Sequence, residues 1–318
     1  MDIKGNINNM KNVVCVGMCS YDEIIVLDNY PREDRKYIAQ NMFSQCGGMA
    51  TNVAINLSRI GVKVSLISNV GNNEISLNIL KQLREEGVDI KGMKIFDLDT
   101  QRTFILVNRR NASRTAIAGP VIEANEFDNI QKNLIKNANL IYLDGSTNPE
   151  IVEDLLKNIN KNCCETFYNL EFYSPTGIDI FQQCTYGIMS EQAINEIIKD
   201  SSYKDVLKKI WSKNSKLKGI TFGKKGSLFY DGNTFFKGLV FITDAIDSTG
   251  AGDAFQSGII LGIIKNLDLQ FTIDIASVMA GLTCTKIGAH HYPFKLDKII
   301  TAAKSLRSSL IKKVNEKH

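Results

Sequence analysis

The chain has 318 residues, 44% hydrophobic and 8% aromatic, enough to bury the core of one large α/β domain or two small ones. Its 38 basic and 34 acidic residues leave a net charge of +4, too mild and too evenly spread to argue for a nucleic-acid or membrane partner. Seven irregularly spaced cysteines fit reduced thiols rather than a disulfide framework, and the adjacent Cys163 and Cys164 lack the two-residue gap of metal or redox pairs.

Met1 to Asn12 is polar without a secretory apolar core, and no apolar run approaches the ~18 residues of a membrane span, so the expected location is the cytoplasm. Val13-Val14-Cys15-Val16-Gly17 is a short apolar run with the pattern of a strand buried on both faces. No Gly-x-Gly-x-x-Gly turn follows it, which argues against a nicotinamide-dependent dehydrogenase. Asp22 is expected in the loop beyond this strand, either as a surface acid or as a carboxylate accepting hydrogen bonds from vicinal hydroxyls. From Ile24 to Phe43 the chain reads as exposed strands. Gly47 and Gly48 then allow a close backbone approach, and Ala50, Val53, Ala54, Leu57 and Ile60 recur at helical spacing up to Gly61. Asn52 lies in the first turn of that helix, as a local cap or a ligand-facing amide.

A strand is expected over Val64 to Val70, followed by a helix with Ile75, Ile79, Leu80 and Leu83 on one face and Gly87 as its stop. Met93 to Asn108 and Thr115 to Ala118 read as further strands joined by an arginine-rich turn. Leu140 to Gly145 and Thr166 to Glu171 are buried strands whose acidic ends should face a ligand crevice. Leu217 to Phe222 is another, followed by Thr221-Phe222-Gly223-Lys224-Lys225-Gly226 and a hairpin over Ser227 to Lys237. Two apolar helices are expected at roughly Ala254 to Lys265 and Phe271 to Lys286. The adjacent His290 and His291 point to different sides of any regular element and make a poor metal site. Lys295 to Leu310 reads as an amphipathic helix, and Lys312 to Lys317 as its solvated end.

The stretch with the most chemistry is Asp247-Ser248-Thr249-Gly250-Ala251-Gly252-Asp253. Gly250, Ala251 and Gly252 expose backbone N–H groups at the start of a helix, an anion hole suited to a transferred phosphoryl group. Asp253 reads as a general base kept ionised by those donors, or as an ordinary first-turn acid.

This string resembles the C-terminal signature of the PfkB (ribokinase-like) sugar kinases, with Ser248 in place of the usual Thr. Gly47-Gly48-Met49-Ala50-Thr51-Asn52-Val53-Ala54 resembles their N-terminal signature, and the similarity covers about residues 13 to 307. It implies one α/β kinase domain over 1–318: a ribokinase-like doubly wound sheet flanked by helices, with a small β lid from about 23–45 and 94–118 that pairs two copies as a homodimer. It implies Asp253 as catalytic base over the Gly250–Gly252 hole, and Asp22, Gly47, Gly48 and Asn52 as sugar ligands. Arg114 would reach phosphate or substrate, with Arg102 behind it. Thr221, Gly223, Gly226 and Gly288 would lie along the nucleotide.

Within the family the resemblance is strongest to ketohexokinases, through Leu27-Asp28-Asn29-Tyr30-Pro31-Arg32-Glu33-Asp34 and Asn111-Ala112-Ser113-Arg114-Thr115. Met49, where ketohexokinases have Asn, removes one hydrogen bond to the sugar and suggests a different or modified ketose. The implied reaction is γ-phosphoryl transfer from Mg-ATP to a primary hydroxyl of a ketohexose or related furanose. The implied cofactors are ATP and Mg²⁺, with a monovalent cation near Cys284 to Gly288. The magnesium ligands stay open, because Ser190-Glu191-Gln192-Ala193 replaces the family's Asn-x-x-Glu. A nucleoside kinase of the same family, with Tyr21, Tyr37 and Phe43 as a base slot, and a non-catalytic sugar or nucleotide sensor are the alternatives.

Overall fold

The computed structural model describes residues 11–123, 126–198 and 201–315, with side chains up to 308. The polar amino terminus before residue 11 and the side chains of Lys312 to Lys317 lie outside the described residues.

The chain opens with β1 (Val13–Val16), β2 (Ser20–Leu27) and β3 (Asn41–Gly47), then α1 (Met49–Arg59), β4 (Val64–Val70), α2 (Glu74–Glu85) and β5 (Asp89–Ile95). β6 (Arg102–Asn108) and β7 (Ser113–Ala118) precede α3 (Asn129–Lys136), β8 (Leu140–Asp144), α4 (Pro149–Asn158), β9 (Glu165–Leu170), α5 (Pro175–Gln183), β10 (Tyr186–Ser190) and α6 (Glu191–Ile198). α7 (Tyr203–Lys209), β11 (Leu217–Thr221), β12 (Ser227–Tyr230) and β13 (Phe235–Gly238) lead to α8 (Ala251–Ile264), α9 (Leu269–Thr283) and α10 (Leu296–Asn315). Local chemistry sets many of these boundaries. A reciprocal Asn73/Ser76 capping box starts α2, and an Asn148 cap with Pro149 in the first turn starts α4.

Nine strands form one sheet in the order β13-β12-β11-β10-β9-β8-β1-β4-β5. It is parallel from β5 to β11 and antiparallel at the β11–β12–β13 edge. β1 is buried along its whole length because its alternate residues serve two cores. Val13 and Cys15 pack with α1, α8 and α9, whereas Val14 and Val16 pack with α4 and α5. α8 is apolar nearly all round and is wedged against α1 and α9. Gly258 and Gly262 allow the α9 contact, since a Cβ there would fall 2.5 Å from Ala276 Cα and 2.2 Å from Thr272 Oγ1. Lys218, fully buried on β11, donates from Nζ to the Phe181 carbonyl and, at 2.8 Å, to that of Cys184, so it closes the C-terminus of α5.

A second sheet has the order β3-β2-β6-β7. Its inner face carries Ile24, Val26, Ile105 and Val107, with Phe43 and Ile287 against them. Two readings are corrected here. Met93 to Asn108 is two strands, β5 on the edge of the large sheet and β6 in the small one, with residues 96–101 between them. The small sheet also starts earlier than residue 23, at Ser20, so Asp22 is a strand residue rather than part of a loop. The alternating burial of β2 gives the reason, because Ser20, Asp22 and Ile24 share the inward face.

None of the seven cysteines is bonded to another, and Cys163, in the turn before β9, is exposed. No helix among the described residues is long and apolar enough to cross a membrane.

Candidate active site

The C-terminal ends of the parallel strands meet the inner face of the small sheet and the start of α8. In open α/β sheets ligands gather at this end of the strands. Gly250 caps α8 with φ 74° and ψ 1°, a left-handed conformation in which its missing side chain leaves room for Ala289. The amides of Gly252 and Asp253 fall in the first turn, where the helix offers no carbonyl to receive them. A Cβ on Gly252 would meet nothing within 4 Å, so the space over these amides is open. The geometry fits an anion such as a phosphoryl group.

Asp253, in the first turn of α8, is 8% exposed, and its Oδ2 accepts a 2.6 Å hydrogen bond from Asn52 Nδ2 of α1. Burial pushes its carboxyl up to about 7, while the Asn52 hydrogen bond and the Arg114 charge pull it down and Glu171 and Asp144 push it up. The expectation that helix-end donors lower the Asp253 carboxyl and keep it ionised is therefore corrected. Desolvation of the charged form outweighs those donors.

Asp22 faces the same space. Ser20 Oγ donates to its Oδ1 at 2.7 Å, and its carboxylate lies where a Cβ on Gly47 would be, 1.9 Å from Oδ2. Gly47 is thus required by the close approach of Asp22, and Gly48 (φ 98°) by that of the Met18 carbonyl. Burial raises the Asp22 carboxyl to about 6, against the Ser20 hydrogen bond and the Arg114 charge. Arg114 pairs in register with Val107 and so lies on the inner face of the small sheet. Its charge acts on Asp22, Asp253 and Glu171 alike. Arg102 pairs with Tyr21 in register, lies on the outer face and is bonded to Glu23, so the structure does not bring it to the site.

Two further acids, Asp144 and Glu171, were visible as strand ends, and Glu191 in the segment that replaces Asn-x-x-Glu. Asp144 is fully buried; its Oδ1 accepts from Ser146 N and Oγ, both at 2.8 Å, and its Oδ2 from Met18 N at 3.2 Å and Ala50 N at 3.3 Å. It ties the ends of β1 and β8 to the start of α1. Burial raises Glu171, just beyond β9, with Arg114 opposing. Glu191, at the start of α6, is ion-paired to Lys225 at 2.8 Å. A cavity lined by Met18, Gln101, Glu123, Ser146 and Asn148 adjoins the Asp144 knot but includes none of Asp22, Asn52, Arg114 or Asp253.

Thr221 ends β11, and Gly223 and Gly226 flank a 3-10 turn with φ of 54° and 92°. No atom lies within 4 Å of a Cβ on Gly223, which leaves that turn open to a ligand. Gly288 N donates to Asp247 Oδ2 at 2.7 Å, and Asp247 Oδ1 accepts from Thr249 N at 2.9 Å and Oγ1 at 2.7 Å. That buried carboxylate fixes the turn before α8 to the 284–288 segment. The residue missed altogether is His290, whose Nε2 lies 2.5 Å from Asn52 Oδ1. Read only as half of a histidine pair, it gave no sign of this contact.

Open amides at the start of α8, the buried Asp253 carboxylate beside them and the Asp22 carboxylate on the small sheet thus gather at one end of the parallel strands. The pfkB family carbohydrate kinase model matches residues 10–295. The 6-phosphofructokinase, ATP-dependent, of Thermoanaerobacterium thermosaccharolyticum is 26% identical over 265 residues, 76% of this chain and 80% of that protein. The ketohexokinase of Mus musculus is 25% identical over 293 residues, 86% and 96% of the two chains. The crystal structure of a ribokinase from Thermotoga maritima superposes with a TM-score of 0.78 at 20% identity, covering 93% of this chain and 100% of that one. This chain belongs to the pfkB family of carbohydrate kinases and has the ribokinase fold.

Proposed function

We propose that the protein transfers the γ-phosphoryl group of Mg-ATP to a primary hydroxyl of a ketohexose or related furanose. The observation that carries this reading is Asp253 Oδ2, held at 2.6 Å by Asn52 at the open N-terminus of α8. A hydroxyl above it can pass its proton to the carboxylate while the amides of the Gly250–Gly252 turn receive the negative charge of the transferred group. Asp22 and Asn52 offer acceptors and a donor to the remaining sugar hydroxyls, and Arg114 adds positive charge over the crevice. ATP supplies the phosphoryl group, and its phosphates fit the amides of the Gly250–Gly252 turn and the open Gly223 turn. Among the described residues no three His, Cys, Asp or Glu side chains group as a metal cage. This suits a magnesium ion held largely by phosphates and water, with Glu171 offered to its water shell. Thr221, Gly226 and Gly288 would flank the nucleotide, with a monovalent cation beside the 284–288 segment.

Met49 at the sugar-facing start of α1 favours a ketose that needs no amide there. The test is ADP release from Mg-ATP with D-fructose, D-tagatose, D-psicose, D-ribose, fructose 6-phosphate, a fructosamine, inosine and uridine. Turnover with a ketose, lost by at least about a thousandfold in Asp253→Asn, supports the reading. Preference for a nucleoside transfers it to the nucleoside-kinase alternative. Binding without turnover transfers it to a sensor.

We also propose that the small sheet pairs two copies. Its outer face exposes Met42 (61%), Phe104 (40%) and Ile117 (58%), with Phe104 directly opposite Ile117 in the strand register. Ile117→Lys should then convert a dimer to a monomer in light scattering; a wild-type monomer at micromolar concentration would refute the pairing.

A further inference from the structure

Asn52 has two ends, and the structure uses both. Its Nδ2 donates to Asp253, and its Oδ1 lies 2.5 Å from His290 Nε2. All three side chains are buried. A carbonyl oxygen can only accept, so the ring nitrogen facing it carries the proton. Burial, with the Arg59 and His291 charges, pushes the His290 imidazole down to about 3, which leaves it neutral with one N–H. That N–H is on Nε2. If Nε2 were instead an acceptor, the Asn52 amide would turn its NH₂ to the ring and set its carbonyl oxygen against Asp253. Two oxygens would then face each other, and the ionised carboxylate would be disfavoured.

The backbone of His290 is fixed independently of its ring. Arg59 at the end of α1 donates to the His290 carbonyl and, at 3.4 Å, to that of Tyr292. The guanidinium is itself held by Glu86 through bonds of 2.6 and 2.5 Å. Ala289 packs against Gly250, so the loop carrying His290 is anchored on the same helix start as the base.

We propose that His290 is a positioning residue: as a neutral Nε2–H donor it fixes which end of the Asn52 amide faces Asp253, and so keeps a hydrogen-bond donor on the base. The inference rests on the kinase reading for its catalytic consequence but not for its structural one. The charged and titratable groups facing this chain of contacts are Arg114, Glu171, Asp144 and Tyr142 around Asp253, and Arg59 and His291 around His290.

The experiment compares wild type, His290→Leu and His290→Gln in pH profiles of kcat/KM, using the ketose that wild type turns over best in the panel above. A glutamine amide can donate to Asn52 Oδ1, whereas leucine cannot. Loss of the donor should move the acidic limb of the leucine variant up by about one unit. It should lower kcat/KM at pH 6.5 by roughly eightfold, shrinking toward pH 9 where the base is ionised anyway. The glutamine variant should lie within about threefold of wild type. A leucine variant with an unmoved limb, or with the same loss at every pH, overturns the proposal, as does a glutamine variant no better than leucine. Nitrogen NMR of the histidine rings in the wild-type protein reads the same point without turnover, and the chain has only 3 histidines. A ring protonated on Nε2 that does not titrate between pH 5 and 8 supports the proposal; one protonated on Nδ1, or titrating in that range, overturns it. If no panel sugar is turned over, the kinase reading fails while the NMR still decides the role of His290.

Discussion

Asp253 shows how burial and hydrogen bonding compete within one side chain. The carboxyl is raised to about 7 although an amide and a guanidinium favour its charge, so in the free protein a large fraction is protonated at pH 6. A base must be ionised, so kcat/KM should rise about tenfold per unit up to roughly pH 7 and then level. A flat profile between pH 5.5 and 7.5 would exclude Asp253 as the titrating base. Asn52→Ala removes the donor and should shift the limb further upward. Lys218 is the opposite case, a cation kept inside by two carbonyls and the Phe181 ring, with its Nζ 4.4 Å from the ring centre. Desolvation lowers it to about 8. Lys218→Met would leave both carbonyls without their donor and should destabilise by about 2–4 kcal/mol in urea unfolding.

Among the elements, α8 and α9 are the pair on which the site depends. Gly258 and Gly262 of α8 lie against Ala276 and Thr272 of α9, and Gly262→Ala would place a methyl into Thr272. The expected loss is about 1–3 kcal/mol after the helix-propensity gain of alanine, seen as a lower denaturant midpoint; an unchanged midpoint would mean that the helices separate freely. Much at this scale was legible in sequence. The helix after Gly48 and the buried strands at Val13, Val64 and Leu140 follow from apolar spacing and glycine stops, and they occur where expected. The split between β5 and β6 was not legible, because Phe96 to Gln101 contains no glycine or proline to mark it, and nothing local says that two successive strands join different sheets. The first turn of α8 was read three residues late because Ala251 and Gly252 look like loop. Site geometry was the least legible: Asn52 and His290 meet across 238 residues, and the burial that sets the protonation of Asp253 comes from elements far apart in sequence.

For the whole molecule, Asp22, Asp144, Glu171 and Asp253 are all raised by burial. A carboxyl raised on folding holds its proton better in the folded chain than in the unfolded one. Its contribution to stability is therefore complete below about pH 4 and is lost as pH rises through its folded value. For Asp22 and Asp253 that loss spans roughly pH 4 to 7. Asp253→Asn removes one such group, so its melting temperature should equal that of wild type near pH 4.5 and exceed it by pH 8. The stability difference at pH 8 should be about 3–4 kcal/mol for a carboxyl raised from its ordinary value to about 7; a difference independent of pH would show that Asp253 does not carry the effect.

The distribution of thiols gives the molecule a single outward handle. Burial pushes Cys19 and Cys164 up to about 12, Cys184 to about 11, and Cys15, Cys46 and Cys284 upward as well. Cys163 alone is exposed, and it precedes β9, at the end of the parallel strands remote from the crevice. A maleimide dye or a surface tether should therefore attach once per native chain at Cys163, without obstructing the crevice, and Cys163→Ser should abolish the fast reaction. The native fold thus supplies a ready attachment point for immobilising the protein with its crevice turned toward solution.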